Sequence, residues 1–530
     1  MRACICQKKV LPLQAQKCGH EYMIQLKDIQ SLFFLGIGGI GMSALARYFA
    51  SRGYAISGYD RTPSPLTKEL ESEGMHIIYD DDPSILCAFR PALLPQHTLV
   101  VRTPAVPEDN AIYTFLRSNG YDIRKRAEVL GLVTQQMKAL CVAGTHGKTT
   151  TSTMLAHLLN DAKGINAFLG GISMNYGTNV LIAPQSEYVV VEADEYDRSF
   201  HHLRPYISVV TAVDADHLDI YGTPEAYREA FAHYTSLISG ALVMKHGINL
   251  QPRLQEGVKC YTYGVVESGK WKEESGKWKE ESGKRKEESG KWKEESGPDF
   301  YAANIRVGNG TIVFDFHTPD SVIADVRLGV PVWVNIENAT AAMAAAYVLA
   351  EIEQQSLTAS ASGADSAKAS ALLHFKERMA CFKGVQRRFN IHVNTPKVVY
   401  IDDYAHHPEE IATAIDSIRK LFPERRLIGV FQPHLYTRTR DFADGFARVL
   451  STLDEAVLLP IYPAREKPIE GVNSKMLVAK MGKGLVVEKA ELVDYLKGRV
   501  AESKEPVVVL TVGAGDIDRL VPDVAKALEI

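Results

Sequence analysis

Cysteine is sparse in this chain of 530 residues, and where it occurs it is badly spaced for chemistry. Cys4, Cys6 and Cys18 crowd into the first twenty residues, while Cys87, Cys141, Cys260 and Cys381 are scattered without metal-ligand spacing. That argues against a zinc site and fits reduced thiols in a cytoplasm. No apolar run approaches the roughly 18 residues needed to cross a bilayer. The opening MRACICQKKVLPLQAQKCGHEYM lacks the continuous apolar stretch of a signal peptide. No charge of one sign prevails: a net charge of -4 gives no reason to expect nucleic acid or an anionic membrane as a partner.

The rest of the composition, 46% hydrophobic and 23% charged, is that of a soluble globular protein. Its length exceeds what one core supports, so two to four domains are expected. Residues 1–22 are expected to be a leader without fixed structure, ahead of a domain that opens at Met23. The pattern from Ser31 reads strand, glycine turn, helix (Met42 to Ser51) and strand (Tyr54 to Ser57), ending at Gly58-Tyr59-Asp60. This βαβ unit predicts a parallel sheet flanked by helices. A second α/β domain starts near residue 138, where the buried strand Ala139–Val142 feeds a turn and a helix over about 149–161. A third begins near Gly384, with strands at 397–401, 426–431, 455–459 and 506–511 and helices at 408–421 and 441–450. The expected boundaries are 23–137, 138–383 and 384–530.

Two phosphate-cradling turns carry most of the functional information. Gly144-Thr145-His146-Gly147-Lys148-Thr149-Thr150 lies between strand and helix, where backbone N–H groups point at phosphate oxygens. Lys148 is expected on the β- and γ-phosphates and Thr149 on Mg²⁺. The first glycine of the G-x-x-x-x-G-K-[ST] pattern is replaced by Val142. The earlier turn, Gly36-Ile37-Gly38-Gly39-Ile40-Gly41, satisfies G-x-G-x-x-G, with Asp60 nineteen residues on. A nicotinamide dinucleotide with Asp60 on its ribose, a sugar-nucleotide diphosphate and a purely structural turn all fit it.

Acidic residues close the next strands. Val189-Val190-Val191 ends in Glu192-Ala193-Asp194-Glu195, where a second magnesium ligand belongs. Asp216-His217 follows another strand, and His217 reads either as a metal ligand or as a loop histidine bonded to an aspartate. In the last domain, Gln386-Arg387-Arg388-Phe389, Asp402-Asp403-Tyr404-Ala405-His406-His407-Pro408 and Phe431-Gln432-Pro433-His434-Leu435-Tyr436-Thr437-Arg438-Thr439-Arg440-Asp441 bring His, Tyr and Arg to strand ends. Ligands bind there in open α/β sheets, and guanidinium groups suit carboxylate or phosphate.

One tract resembles nothing else in the chain. ESGKWKE and its variants repeat with a period of seven over 267–297 and hold three of the four tryptophans. A coiled coil needs two apolar positions per heptad; this repeat has at most one and spends another on glycine. The expectation is a disordered surface insertion. The polar stretch from Gln354 to Ala371 reads as a loop between helices.

In combination and order, GIGGIGMS at 36–43, GTHGKTT at 144–150, EADEYD at 192–197, Asp216-His217, QRRF at 386–389, DDYAHHP at 402–408 and FQPHLYTRTRD at 431–441 resemble the Mur ligases of peptidoglycan synthesis. The resemblance runs from about Met23 to the C-terminus, outside the repeat. It implies three α/β domains, each a mainly parallel sheet with flanking helices: a UDP-substrate-binding domain, a central ATPase and a closing C-terminal domain. It implies ATP and Mg²⁺ as cofactors. The implied reaction joins L-alanine to the carboxylate of UDP-N-acetylmuramate through an acyl phosphate, in the cytoplasm, by a monomer or weak homodimer.

The resemblance assigns Gly36, Gly38, Gly39, Ile40, Gly41, Met42, Ser43 and Asp60 to the UDP substrate, and Thr149, Glu192 and His217 to the metal. ATP contacts fall to Gly144 through Thr150, Asn335, Asn338, Arg388 and Tyr404. Lys148, His406, His434 and Arg438 are the expected catalytic groups, the last three orienting alanine. Where the family writes G-x-H-N-x-x-N, this chain has Val332-Trp333-Val334-Asn335-Ile336-Glu337-Asn338. Leu435 also stands where an arginine is common. A murein-peptide recycling ligase of the same family shares DD-[FY]-x-HHP but generally lacks the 36–43 motif and the His-Tyr-Arg series of 434–440. A nicotinamide-dependent dehydrogenase leaves the lysine loop unused, and a regulatory nucleotide-binding protein needs no His/Arg clusters.

Overall fold

A computed structural model describes residues 28–89, 92–214, 218–266, 271–274, 277–280, 297–308, 310–357, 374–464 and 466–529. The proposed leader and most of the Gln354–Ala371 stretch lie outside the described residues; Gln354–Leu357 are helical rather than loop. The chain separates into two compact units. One runs to Gly38 and resumes over Gly53–Lys125; the other takes Gly39–Arg52 and everything from Arg126.

The first unit holds five strands: β1 (Ser31–Leu35), β2 (Ala55–Tyr59), β3 (His76–Ile78), β4 (Thr98–Arg102) and β5 (Asp122–Lys125). They pair in the order β3-β2-β1-β4-β5, all parallel. β1 is buried along its whole length because its run SLFFL is covered on both faces, as parallel strands are. Phe33, Leu35, Val100, Ile112 and Leu116 make the core on one side.

Among the described residues the second unit contains two large sheets and a two-stranded pair. Its larger one uses β6 (Lys138–Ala143), β7 (Asn166–Ser173), β8 (Thr178–Leu181), β9 (Tyr188–Glu192), β10 (Pro205–Val210), β11 (Ala241–Lys245) and β12 (Lys259–Val265). After a separate pair, β13 (Trp271–Glu274) and β14 (Lys277–Glu280), it continues with β15 (Phe300–Gly308), β16 (Thr311–His317) and β17 (Val322–Arg327). The order is β17-β16-β15-β12-β11-β10-β6-β9-β7-β8, parallel in its middle and antiparallel at both margins.

The smaller sheet runs β18-β19-β23-β20-β21-β22, from Asn390–Asn394, Val398–Asp403, Val507–Val512, Arg426–Phe431, Glu455–Leu458 and Leu485–Val486. Only its β18 edge is antiparallel. Three mainly parallel sheets are therefore present, as the alternation of strand and helix predicts.

Within the repeat tract, β13 and β14 pair antiparallel, with Trp271 opposite Glu280 and Glu274 opposite Lys277. For those eight residues the expectation of disorder is corrected. Two strands alone are only marginally stable in water. The remainder of the tract lies outside the described residues.

Three helices position the site. The helix Lys148–Lys163 follows β6 through the lysine loop and packs on Trp333–Leu357. The latter is buried through Ala339–Leu349, where alanines let neighbouring backbones approach closely. Helix Pro408–Leu421 starts with proline, has Glu409 and Glu410 in its first turn and ends with Arg419 and Lys420, in accord with its dipole. The helix Ile40–Ser51, although it follows the first glycine turn, packs on β7 and β8, with Asn179 Nδ2 donating to Ile40 O at 2.9 Å.

The crossing from the larger sheet to the smaller one is laced to the β7–β8 turn. Asn175 donates to Cys381 O at 2.9 Å and accepts from Lys383 N at 2.8 Å. Met174 N donates to Gly384 O and Gln386 N to Ile172 O. Immediately afterwards Arg387 and Phe389 hold left-handed backbones, with φ of 61° and 53°.

Candidate active site

The carboxyl ends of β6, β9, β10 and β11 open on a cavity of about 520 Å³. The lysine loop forms its floor. Gly144 takes φ +135°, and a Cβ there would stand 2.1 Å from Thr211 Oγ1, so only glycine fits. Gly147 takes φ +81° against the amide of Asn338. The loop is tied to the next strand end: Thr145 N donates to Ala212 O at 3.1 Å, and Thr145 Oγ1 to Asp214 O at 2.8 Å. Thr211 Oγ1 donates to the carbonyls of Ala143 and His146.

Lys148 Nζ lies 2.7 Å from Gly144 O and 2.8 Å from a carboxylate oxygen of Glu195. Glu195 is 1% exposed, and burial pushes its carboxyl above the usual range against the pull of Lys148. The sequence pattern offered Glu195 only as one acid among several; its pairing with the loop lysine was not anticipated.

Beside it, Thr149 Oγ1 donates to Glu192 Oε1 at 3.1 Å. Glu192 Oε2 is buried with no hydrogen-bond partner among the described residues. Burial also pushes the Glu192 carboxyl up, partly offset by Lys148 and Thr149. Gly170 on β7 makes room for this carboxylate, since a Cβ there would meet Oε2 at 2.1 Å. An unpaired carboxylate oxygen beside a hydroxyl on a phosphate loop is the donor set of a hard divalent cation, which usually takes one or two carboxylates, phosphate and water. His217 lies outside the described residues. Among those described, no group of three His, Cys, Asp or Glu stands together as a ready metal cage.

Asn335 and Asn338 reach the cavity wall, but their amides are largely committed to each other. Thr151 donates to Asn338 Oδ1, Asn338 Nδ2 to Asn335 Oδ1 at 3.1 Å, and Asn335 Nδ2 to Val330 O at 3.1 Å. The two side chains therefore brace the loop. Thr145 through Thr150 and Arg388 also line the cavity, whereas Gly144 and Tyr404 do not. Tyr404 lies under Arg387 and Arg388, their guanidinium carbons 5.3 and 5.5 Å from its ring centre.

The smaller sheet adds a second constellation at the carboxyl ends of β19 and β20. Asp403 accepts from Phe389 N at 2.8 Å and Ala405 N at 2.7 Å. Burial, opposed by Arg388, pushes its carboxyl up to about 6. His406 Nδ1 lies 3.0 Å from Tyr404 O; a carbonyl only accepts, so Nδ1 carries the proton and Nε2 stays an acceptor. Burial holds His406 below the ordinary histidine range, against the opposing pull of Glu410, and Arg438 lowers it further. His434 is lowered by burial, then by Arg438 and His406, and Arg438 Nη1 reaches His434 Nδ1 at 3.4 Å. The three expected alanine-orienting residues are therefore neighbours. Asp403 and Glu410, both on the cavity wall, were missed as site residues because a supporting carboxylate has no sequence mark beyond its motif.

In the first unit, Asp60 Oδ2 accepts from Gly38 N at 2.7 Å. Its carboxylate braces the turn. Gly36 takes φ +85° beside Thr103. In the second unit, Gly39 caps the helix that follows; Ile40 is exposed, and a Cβ on Gly41 would meet Arg126. Met42 and Ser43 are buried, Ser43 Oγ donating to Ile40 O, so neither side chain is presented to a ligand.

Three family models match: the Mur ligase family catalytic domain at 32–138, the Mur ligase middle domain at 142–346 and the Mur ligase glutamate ligase domain at 387–515. UDP-N-acetylmuramate–L-alanine ligase of Phocaeicola vulgatus is 49% identical over 512 residues, covering 95% of this chain and 99% of that one. The enzyme of the same name from Parabacteroides distasonis is 48% identical over 511 residues, covering 95% and 98%. Among solved structures, UDP-N-acetylmuramate-alanine ligase of Thermotoga maritima superposes with a TM-score of 0.68 at 25% identity, covering 94% of this chain and 98% of that one. A murein peptide ligase of Psychrobacter arcticus shares the fold, with a TM-score of 0.58 at 20% identity and coverage of 94% and 99%. From its loop, its sheets and these matches along nearly its whole length, the chain belongs to the Mur ligase family.

Proposed function

We propose that this chain joins L-alanine to the lactyl carboxylate of UDP-N-acetylmuramate at the expense of ATP, in peptidoglycan precursor synthesis in the cytoplasm. The observation that carries the reading is the lysine loop in contact with Glu192 on a cavity that Arg388 and Asp403 also line. The near-full-length likeness to two ligases of that name supports the same substrates. No helix among the described residues is long and apolar enough to cross a membrane.

In the proposed reaction a carboxylate oxygen of the sugar nucleotide attacks the γ-phosphorus, ADP leaves, and an acyl phosphate forms. The neutral amine of alanine then adds to the acyl carbon, and the tetrahedral intermediate expels phosphate to leave the amide. Lys148, released from Glu195, neutralises phosphate charge, and the loop N–H groups hold the triphosphate. Thr149 and Glu192 would hold Mg²⁺, whose role is to screen the phosphoryl oxygens. His406 Nε2, kept unprotonated, accepts the proton that the ammonium must lose; His434 and Arg438 orient the amino acid's carboxylate. The proposed domain division is 23–137 for the UDP substrate, 138–383 for ATP and 384–530 for closure.

The test is phosphate release with UDP-N-acetylmuramate and ATP, varying the amino acid among alanine, glycine and serine. Release that requires both the sugar nucleotide and alanine is expected. Release without the sugar nucleotide, or equal rates with a preformed peptide in place of alanine, would overturn the reading.

A further inference from the structure

His406 stands among cations, which is a poor setting for a group that must itself become positive. The fields of Arg438 and Arg388 reach it, His434 lies beside it, and the ring is half-buried. Each of these disfavours an imidazolium. We propose that Glu410 is the positioning residue that offsets them. Its carboxylate fixes the His406 ring and stabilises the imidazolium formed when Nε2 takes a proton from the amino acid's ammonium. The inference deepens the ligase reading above and rests on it.

The local sequence explains how the carboxylate arrives there. Pro408 opens the helix Pro408–Leu421, and Glu410 is its third residue, where a side chain can fold back on the residues ahead of the helix. Glu410 Oε2 accepts from His406 N at 2.9 Å and from His407 N at 3.2 Å. The same oxygen lies 3.4 Å from His406 Nδ1. Against its burial, His406, these N–H donors and Arg388 hold the Glu410 carboxyl below the usual range. The positive end of the helix favours the same charge.

A helix cap needs only the two N–H contacts; a carboxylate oxygen that also faces the ring nitrogen does more. Nδ1–H donates to Tyr404 O at 3.0 Å, and the Tyr404 ring meets the imidazole edge-on, 5.2 Å between centres. Carbonyl and carboxylate thus hold one side of the ring and leave Nε2 on the other. Asp403, the second carboxylate of this corner, is committed to the N–H groups of Phe389 and Ala405, and burial pushes its own carboxyl up. The compensating charge therefore falls to Glu410. One proton passes from the ammonium to Nε2 and leaves a neutral amine. After that amine adds to the acyl carbon, its surplus proton departs with the phosphate, and the imidazolium returns its own to water.

The test compares Glu410→Gln with the unaltered full chain. Phosphate release over a range of pH gives kcat and the KM for alanine, and ring-labelled histidine followed by NMR gives the His406 titration without turnover. Glutamine keeps an acceptor for both N–H groups and loses only the charge. The variant should therefore fold and hold its alanine KM within about twofold. Its kcat should fall roughly tenfold to a hundredfold. The His406 midpoint, and the acid limb of kcat with it, should move down by about one pH unit or more. Full kcat with an unmoved His406 midpoint in Glu410→Gln would reduce Glu410 to a helix cap and overturn the proposal. On the unaltered chain the Glu410 carboxyl signal should inflect at the His406 midpoint, and a signal that passes through that pH unchanged overturns the proposal without any variant. A midpoint that moves in Glu410→Gln, with no phosphate release by the unaltered chain from any substrate set, would instead sink the ligase reading and leave the pairing standing.

Discussion

Gly170→Ala is the sharpest probe of the cation corner. The glycine's φ is not in the left-handed region, so alanine costs β7 no backbone strain. The added methyl, however, would stand 2.1 Å from Glu192 Oε2, 2.5 Å from its Cδ and 2.6 Å from Oε1. Ordinary contacts are near 3.5 Å, so the whole carboxylate must retreat by about 1 Å. Retreat breaks the Thr149 hydrogen bond, now 3.1 Å, and moves the unpaired oxygen away from the loop. A hydrogen bond to a charged group is worth about 1.5–3 kcal/mol, which corresponds to roughly a 10- to 150-fold shift in an equilibrium. The Mg²⁺ concentration giving half-maximal phosphate release should rise by that factor. The urea-unfolding midpoint without Mg²⁺ should fall by no more than that one hydrogen bond, since alanine itself suits a strand at least as well as glycine. A half-maximal Mg²⁺ concentration within twofold of the unaltered chain, with full rate, would refute the assignment of Glu192 to the cation.

Two further outcomes are expected. Lys148→Ala should abolish ADP formation and also destabilise the fold by about 3–5 kcal/mol, because it strips the buried Glu195 of its lysine; Lys148→Ala combined with Glu195→Gln should recover the unfolding midpoint but not turnover, and turnover in either variant would contradict the role of Lys148. Asp403, raised from 3.8 to about 6, ionises less readily folded than unfolded; the stability it lends is therefore full below about pH 4 and is lost as the pH rises through about 6, amounting to about 3 kcal/mol. Asp403→Asn should flatten the urea midpoint between pH 4 and 6, and curves parallel to those of the unaltered chain would count against this.

Much of the fold was legible because it repeats one local pattern. Pro408 opens a helix that ends at Leu421, and the strand Arg426–Phe431 has the expected limits, since apolar runs flanked by polar turns are covered on both faces. The antiparallel margin β15–β17 was not read, although Gly308-Asn309-Gly310 and Thr318-Pro319-Asp320 mark its turns; a hairpin signal does not say whether its strands extend the sheet before them or begin a new domain. The lysine loop was plain, since strand, glycines and helix coincide. What supports it was not: Glu195 and Asp403 owe their placement to burial and to neighbours distant in sequence, and an acid's letter is the same on a surface. The helix after the first glycine turn packs on β7 and β8, which come more than a hundred residues later, and no local pattern announces that partner.

The lacing of residues 381–386 to the β7–β8 turn limits how the C-terminal part of the chain can swing. With four tethers in a row, that stretch travels with the larger sheet, and rotation falls to the backbone just past it. Arg387 and Phe389, already in uncommon dihedral wells, are where a pivot would act. Arg388 sits between them, so any such rotation would carry its guanidinium toward or away from the lysine loop across the cavity they both line.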